Sequence, residues 1–215
     1  FRSQQNFKVI LDELIGVSPH INKITTRNNS YLYDFLILAT GSELSYFGHD
    51  QWKKFSPGLK NIEDATFIRG KILKAFEKAE RIKNTQAIKK LMKFVIIGGG
   101  PTGVEMAGAI AELSKKVLIK EFTTIDTRTA EIILLEAGSS ILSTASHSLS
   151  TYARDSLEKL GVIVKCNSVV QSISESLVKT NNEIIEAETI IWCAGIKASP
   201  LGNLINIKTD EIGRV

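Results

Sequence analysis

Glycines 98, 100 and 103 stand in the spacing Gly-x-Gly-x-x-Gly, directly after the apolar run Val95, Ile96 and Ile97. Such a run suits a parallel strand buried on both faces. Pro101 behind the turn suits the first turn of a helix, where its missing N–H costs nothing. In that setting each glycine has a physical task. Gly98 allows the tight turn. Gly100 lets a ligand approach the backbone with no Cβ in the way. Gly103 lets the helix lie close to the strand. The helix N-terminus adds free N–H groups and a partial positive charge. Gly98, Gly99, Gly100, Pro101, Thr102 and Gly103 therefore read as a cradle for the pyrophosphate of a dinucleotide.

Two carboxylates extend this reading. Glu136 ends the second apolar run, Ile132 to Leu135, where a strand-tip carboxylate can accept from a ribose and repel a 2′-phosphate. It lies 33 residues beyond Gly103, against the usual ~20, and the polar stretch 115–130 accounts for the excess. No Arg or Lys follows it in Ala137-Gly138-Ser139-Ser140, so NADH is expected over NADPH. The bland alternative is a solvated strand-end glutamate. Glu105 is read in the first turn of the phosphate-binding helix. There it either complements the helix dipole or faces the nicotinamide end of the cofactor.

The elements that must position these residues are legible in outline. Phe7–Leu11, Ile21–Thr26 and Tyr31–Leu38 look like strands between turn signals, and residues 43–60 like a loop. Asn61 caps an amphipathic helix with Glu63 and Asp64 in its first turn. That helix packs on its own domain or, less in keeping with its mixed charges, lies on a membrane. A βαβ unit follows, its helix reaching about Leu113. After it come a segment with a helical tendency at Val117–Phe122, a helix over Ser148–Leu160 ended by Gly161, and strands at Val162–Lys165, Val169–Ile173, Leu177–Thr180 and Thr189–Cys193. Gly213-Arg214-Val215 looks like the start of an uncompleted element.

Composition narrows the field. The chain has 215 residues, 43% hydrophobic and 23% charged, with net charge +4, enough for a real core. No basic stripe interleaved with aromatics supports nucleic-acid binding. The two cysteines have no zinc or Cys-x-x-Cys spacing, and His20, His49 and His147 no catalytic partner spacing, so reduced thiols and surface or core histidines are expected. No run of eighteen apolar residues or signal peptide is seen, and no metal cluster.

The motifs together resemble the flavoproteins with two dinucleotide-binding domains, and among them type II NADH dehydrogenase, the single-subunit NADH:quinone oxidoreductase. The resemblance covers nearly the whole chain. It rests on Tyr33-Asp34-Phe35-Leu36-Ile37-Leu38-Ala39-Thr40-Gly41-Ser42, then Ser45-Tyr46-Phe47-Gly48-His49-Asp50, Pro57-Gly58-Leu59-Lys60 and Glu63-Asp64-Ala65. Gly98 to Glu105, Leu134 to Gly138, Ile191-Trp192-Cys193-Ala194-Gly195 and Ala198-Ser199-Pro200-Leu201 complete the series. It implies an α/β fold: a Rossmann-type NADH-binding domain at 94–200 with a parallel sheet, and a partial, strand-rich piece of an FAD-binding domain at 1–60. Residues 61–93 connect the two, and 201–215 return towards the FAD domain.

The resemblance also implies FAD and NADH as cofactors. Ala39, Thr40 and Gly41 would lie against FAD, Gly98 to Gly103 on the NADH pyrophosphate, and Glu136 on its ribose. Ala194 and Gly195 would admit the nicotinamide, with Glu105 nearby. A hydride would pass to the flavin and on to a quinone, in a protein peripheral on the inner, cytoplasmic face of the cell membrane. The oligomeric state, a homodimer included, stays open. The chain is expected to be a central fragment, without the family's first FAD glycine motif, its Gly-Asp FAD motif or its membrane-associating end. Two alternatives stand beside this reading: a disulfide or ferredoxin reductase with the same two domains, and a non-catalytic NAD(H)-binding module.

Overall fold

The computed structural model describes residues 4–201, 205 and 208–210. In chain order the elements are β1 (Leu14–Ser18), β2 (Lys23–Thr26), β3 (Ser30–Leu32), β4 (Ser42–Leu44), α1 (Ile62–Arg81), α2 (Thr85–Leu91), β5 (Lys93–Ile97), α3 (Pro101–Glu112), β6 (Glu131–Leu135), α4 (His147–Lys159), β7 (Val162–Lys165), β8 (Val170–Ser174), β9 (Leu177–Thr180), β10 (Ile184–Glu186), β11 (Thr189–Trp192) and β12 (Ile196–Ala198). The chain divides into two compact units, Leu44–Gly195 and the flanking segments Phe1–Glu43 with Ile196–Val215.

The larger unit is built on a four-stranded parallel sheet in the order β11-β5-β6-β7. Its pairing is in register, with Ile96 opposite Leu134 and Leu134 opposite Val164. Side chains alternate between the two faces of a strand, and both faces are covered. Phe94, Ile96, Ile132 and Leu134 join Phe76, Ile110 and Leu157 from α1, α3 and α4 in one core. Val95, Ile97, Ile133 and Leu135 join Trp192 and the antiparallel β8-β9-β10 residues Ile173, Val178 and Ile185 in another. Double coverage is why these strands are continuous apolar runs.

α1 is anchored as its sequence indicates. Asn61 accepts from the Asp64 N–H at 2.7 Å, and Asp64 accepts from the Asn61 N–H at 3.2 Å, a reciprocal capping box. Ile68, Ile72, Ala75, Phe76 and Ala79 bury its apolar face, so the helix packs on its own unit. At its other end Glu80 accepts from the N–H groups of Thr123, Thr124 and Ile125 and from the Thr123 hydroxyl. This ties down the polar stretch 115–130, which takes in the end of a π-helical turn (Leu113–Val117), two short 3-10 turns (Leu118–Lys120 and Thr127–Thr129) and the irregular segment between them.

The smaller unit holds the antiparallel β1-β2-β3 sheet together with β12 and the first two residues of β4, Ser42 and Glu43. Asp12 organises the turn after β2, accepting from the Thr26 hydroxyl at 2.8 Å and the Asn28 side-chain amide at 3.0 Å. Here several expectations fail. Phe7–Leu11 is not a strand, and β3 stops at Leu32, so Tyr33–Leu38 has no regular pairing. Phe35 and Ile37 are 95% and 89% exposed. An apolar alternation becomes a strand only where a neighbour accepts its backbone bonds along its length; beyond the Tyr33 N–H, which donates to the Asn22 carbonyl at 2.9 Å, no ladder continues among the described residues. The loop expected at 43–60 contains β4 and a 3-10 helix at Asp50–Lys54, while α2 and β10 come without a strong periodic signal. The element expected at 213–215 and most of the return segment 201–215 lie outside the described residues.

Candidate functional site

At the C-terminal ends of β5, β6 and β11 a cavity of about 450 Å³ opens between the glycine turn, Glu136 and the strand end Cys193–Gly195. The glycines shape it unequally. Gly98 has φ +110, and a Cβ there would stand 2.7 Å from the Ala194 backbone. A Cβ on Gly103 would stand 1.8 Å from the Gly98 carbonyl oxygen, so this glycine is required for the helix to meet the strand. A Cβ on Gly100 would meet nothing within 4 Å. The space a ligand needs is therefore open over Gly100.

The turn's donors divide in the same way. The Gly98 N–H bonds to the Leu135 carbonyl at 2.8 Å, and the Gly99 N–H to Glu136 Oε2 at 2.6 Å. Pro101 has no N–H. The N–H groups of Gly100, Thr102 and Gly103 have no acceptor among the described residues, as expected at a helix N-terminus. They are the donors left for an anion.

Glu136 does more than its sequence position suggested. Its Oε1 accepts from the Gly138 N–H at 2.7 Å while Oε2 holds Gly99. The carboxylate thus pins the glycine turn to the end of β6. Each oxygen keeps a lone pair for a further donor, such as a ribose hydroxyl. No Lys or Arg lines the cavity among the described residues, so nothing there favours a second phosphate.

The opposite wall is aromatic and was not anticipated as part of the site. Trp192 stacks on Tyr46 with ring centroids 4.9 Å apart and meets the Phe47 edge at 6.2 Å. Its indole N–H donates to the Ser45 carbonyl at 2.9 Å. His49 stacks on Trp52 at 4.2 Å, and both line the cavity. Gly195, at φ +76, makes room for Phe47, whose ring a Cβ would approach to 2.5 Å. The Tyr-Phe-Gly segment was visible only as a family signature; its packing on Trp192, in a core shared with the strand ends, gives the physical reason for it. Cys193 also lines the cavity, and burial pushes its thiol up to about 12.

Gly98, Gly100, Glu136, Ala194 and Gly195 line this cavity, and Gly99, Pro101, Thr102 and Gly103 flank it in the same turn and helix. Glu105 is exposed and does not line it. It is the fifth residue of α3, and the first turn carries no acidic residue, which corrects the expected position. α3 begins at Pro101, so Glu105 lies past the turn where the dipole is felt most. Ala39, Thr40 and Gly41 lie exposed in the smaller unit. Gly41 has φ +71 with open space beside it, so a flat ligand can approach that backbone. His20 and His147 are exposed, and no metal-holding group occurs among the described residues.

A parallel sheet with a glycine turn, a helix N-terminus and a strand-tip carboxylate defines a Rossmann-type dinucleotide-binding protein. All of residues 1–215 match the pyridine nucleotide-disulphide oxidoreductase family, and the chain belongs to it. It is similar to the type II NADH:quinone oxidoreductase of Mycobacterium tuberculosis, at 36% identity over 227 residues, covering 100% of this chain and 49% of that protein. It is similar also to the mitochondrial external NADH-ubiquinone oxidoreductase 2 of Saccharomyces cerevisiae, at 28% identity, covering 85% of this chain and 36% of that one. The fold matches NDH2 from Plasmodium falciparum in complex with NADH, with TM-score 0.82 and 23% identity, over 95% of this chain and 44% of that chain. The chain thus spans about half the length of its Mycobacterium relatives.

Proposed function

We propose that the protein carrying this chain is an NADH:quinone oxidoreductase that uses FAD, and that the cavity at Gly98–Gly103 is its NADH site. The observation that carries the reading is Glu136, a carboxylate fixed by two backbone N–H groups beside the open space over Gly100. The N–H groups of Gly100, Thr102 and Gly103 bind the pyrophosphate. Glu136 accepts from the adenosine ribose and opposes a 2′-phosphate. Ala194 and Gly195 let the nicotinamide approach the backbone. The aromatic wall of Phe47, Trp52 and Trp192 excludes water from that end. Glu105 is assigned to the nicotinamide side of α3.

Residues 1–60 belong to an FAD-binding domain, residues 94–200 to the NADH-binding domain, 61–93 to the connection and 201–215 to the return. Ala39, Thr40 and Gly41 lie against the flavin. A bound FAD supplies the hydride acceptor and the route to a quinone; the protein's part is binding, orientation and exclusion of water. No helix of the described residues is long and apolar enough to cross a membrane. The names of the relatives, NADH:quinone and NADH-ubiquinone oxidoreductase, support a quinone as acceptor. A lipid-soluble acceptor places the enzyme peripherally on a membrane, at its inner, cytoplasmic face where NADH is available.

The test is NADH oxidation by the full-length protein with a water-soluble quinone. Quinone-dependent oxidation of NADH, with NADPH a much poorer donor, is expected. Equal use of the two nucleotides would remove the role of Glu136. Oxidation that needs no quinone would remove the acceptor.

A further inference from the structure

Along α1, away from the glycine turn, a groove of about 390 Å³ is lined by Phe67, Gly70, Lys71, Lys74 and Lys78, with Glu188 and Thr189 at the start of β11. A second cavity, of about 340 Å³, shares Lys71 and Glu188 with it and adds Lys54, Glu175 and Ser176. Lysines at 71, 74 and 78 recur at helical spacing, so one face of α1 carries all three.

Positive charge around the groove is only partly compensated among the described residues. Glu188 is the near carboxylate, and both its oxygens are engaged. Oε1 lies 3.8 Å from Lys78, and Oε2 accepts from the Ser176 hydroxyl at 2.9 Å. Lys71 is half-buried, and neither it nor Lys74 forms an ion pair among the described residues. A partly desolvated cation is costly unless an anion accompanies it. Burial draws the Lys71 ammonium below the usual lysine range, and Glu188 restores it in part.

Two uncharged features point the same way. Gly70 sits in the interior of a 20-residue helix, and a Cβ there would meet nothing within 4 Å. Glycine in a helix interior costs about 1 kcal/mol relative to alanine, and no neighbour among the described residues requires it; what it provides is an open groove floor. Thr189 is fully buried, and its hydroxyl has no partner among the described residues. Phe67, 61% exposed, supplies an apolar platform at the other end.

We propose that this groove binds a phosphate or diphosphate group, with Lys71 and Lys74 as its cations and Phe67 against the apolar part of the molecule that carries it. The site shares no residue with the dinucleotide cavity, so the two assignments fail independently.

Calorimetric titration of the full chain with inorganic pyrophosphate tests this, with NADH saturating so that the glycine turn is blocked. One saturable site is expected. Lys71→Met should weaken it by roughly tenfold or more, about the worth of one charge-assisted hydrogen bond, while Lys71→Arg retains it. Gly70→Leu should fill the groove and abolish binding without lowering the urea midpoint, since leucine favours the helix. A parallel flotation assay uses phosphatidylcholine vesicles with and without phosphatidylglycerol. Lys71-dependent flotation on the anionic vesicles alone, with no pyrophosphate binding, identifies a lipid headgroup as the phosphate source. Absence of binding in both arms, or binding indifferent to Lys71→Met and Gly70→Leu, overturns the proposal.

Discussion

Gly100→Ala and Gly103→Ala should have opposite consequences, although both alter the same turn. Gly100 has φ −73 and ψ −179, a backbone any residue adopts, and a Cβ there meets nothing within 4 Å. Reduced freedom of the unfolded chain contributes about 0.4–1 kcal/mol to stability. Alanine is a poorer N-cap than glycine by up to about 1 kcal/mol. The two terms offset, so the free energy of unfolding should change by less than about 1 kcal/mol. Binding should suffer, because the new methyl stands in the open space proposed for the pyrophosphate. Losing one charge-assisted hydrogen bond costs about 1.5–3 kcal/mol, so Kd for NADH should rise by about 10- to 150-fold.

Gly103→Ala gains about 1 kcal/mol of helix propensity. Its Cβ, however, would lie 1.8 Å from the Gly98 carbonyl oxygen and 3.0 Å from the carbonyl carbon. Both belong to backbone already bonded to β6 through the Gly98 N–H. Relieving that overlap requires α3 to move off the sheet, at a cost of about 1–3 kcal/mol or more, so this variant should be the less stable one. Urea unfolding and calorimetric NADH titration on both variants separate the effects. Wild-type NADH affinity in Gly100→Ala, or wild-type stability in Gly103→Ala, would refute the division of labour within the turn.

Further outcomes follow from single contacts. Glu136→Ala leaves the Gly99 and Gly138 N–H groups without their carboxylate, so stability should fall by about 1–3 kcal/mol and the NADH preference over NADPH should disappear, as read from unfolding and paired titrations. Backbone N–H bonds, Thr123 first, hold the Glu80 carboxyl near 2 against its ordinary 4.5. A depressed folded value means stabilisation that is complete above about 4.5 and lost as pH falls through 2. Stability of Glu80→Gln should therefore depend less on pH across that window, and the amides of Thr123 to Ile125 should exchange faster with deuterium. Cys193, its thiol raised to about 12 by burial, should alkylate slowly at pH 8 in the folded protein and quickly in urea; fast alkylation of the folded chain would contradict its burial.

Much of the glycine turn was readable because its geometry is local. Gly98, Gly100 and Gly103 are spaced by the geometry of one strand, one turn and one helix, and each glycine's task follows from where a Cβ would go. The Asn61 cap with Glu63 and Asp64 in the first turn was legible for the same reason, whereas the return bond from the Asn61 N–H to Asp64 came only with the structure. Tyr33–Leu38 misled because an apolar alternation states only that a strand could form. Pairing depends on a neighbour, and among the described residues the ladder ends with the Tyr33 N–H on the Asn22 carbonyl.

What the sequence alone determined is the glycine turn between strand and helix, the parallel strands that flank it and the carboxylate at the end of β6, since short-range sterics and periodicity dictate all three. Only the tertiary structure decided how they act together. It brought the Glu136 carboxylate to the Gly99 N–H across 37 positions and the Trp192 indole to the Ser45 carbonyl across 147. It placed Glu105 on an exposed face of α3 outside the cavity. It also set Lys71, Glu188 and Ser176 around one pair of cavities. Separation along the chain carries no information about such contacts; they exist because two cores pack on opposite faces of one sheet and fix what lies at its ends.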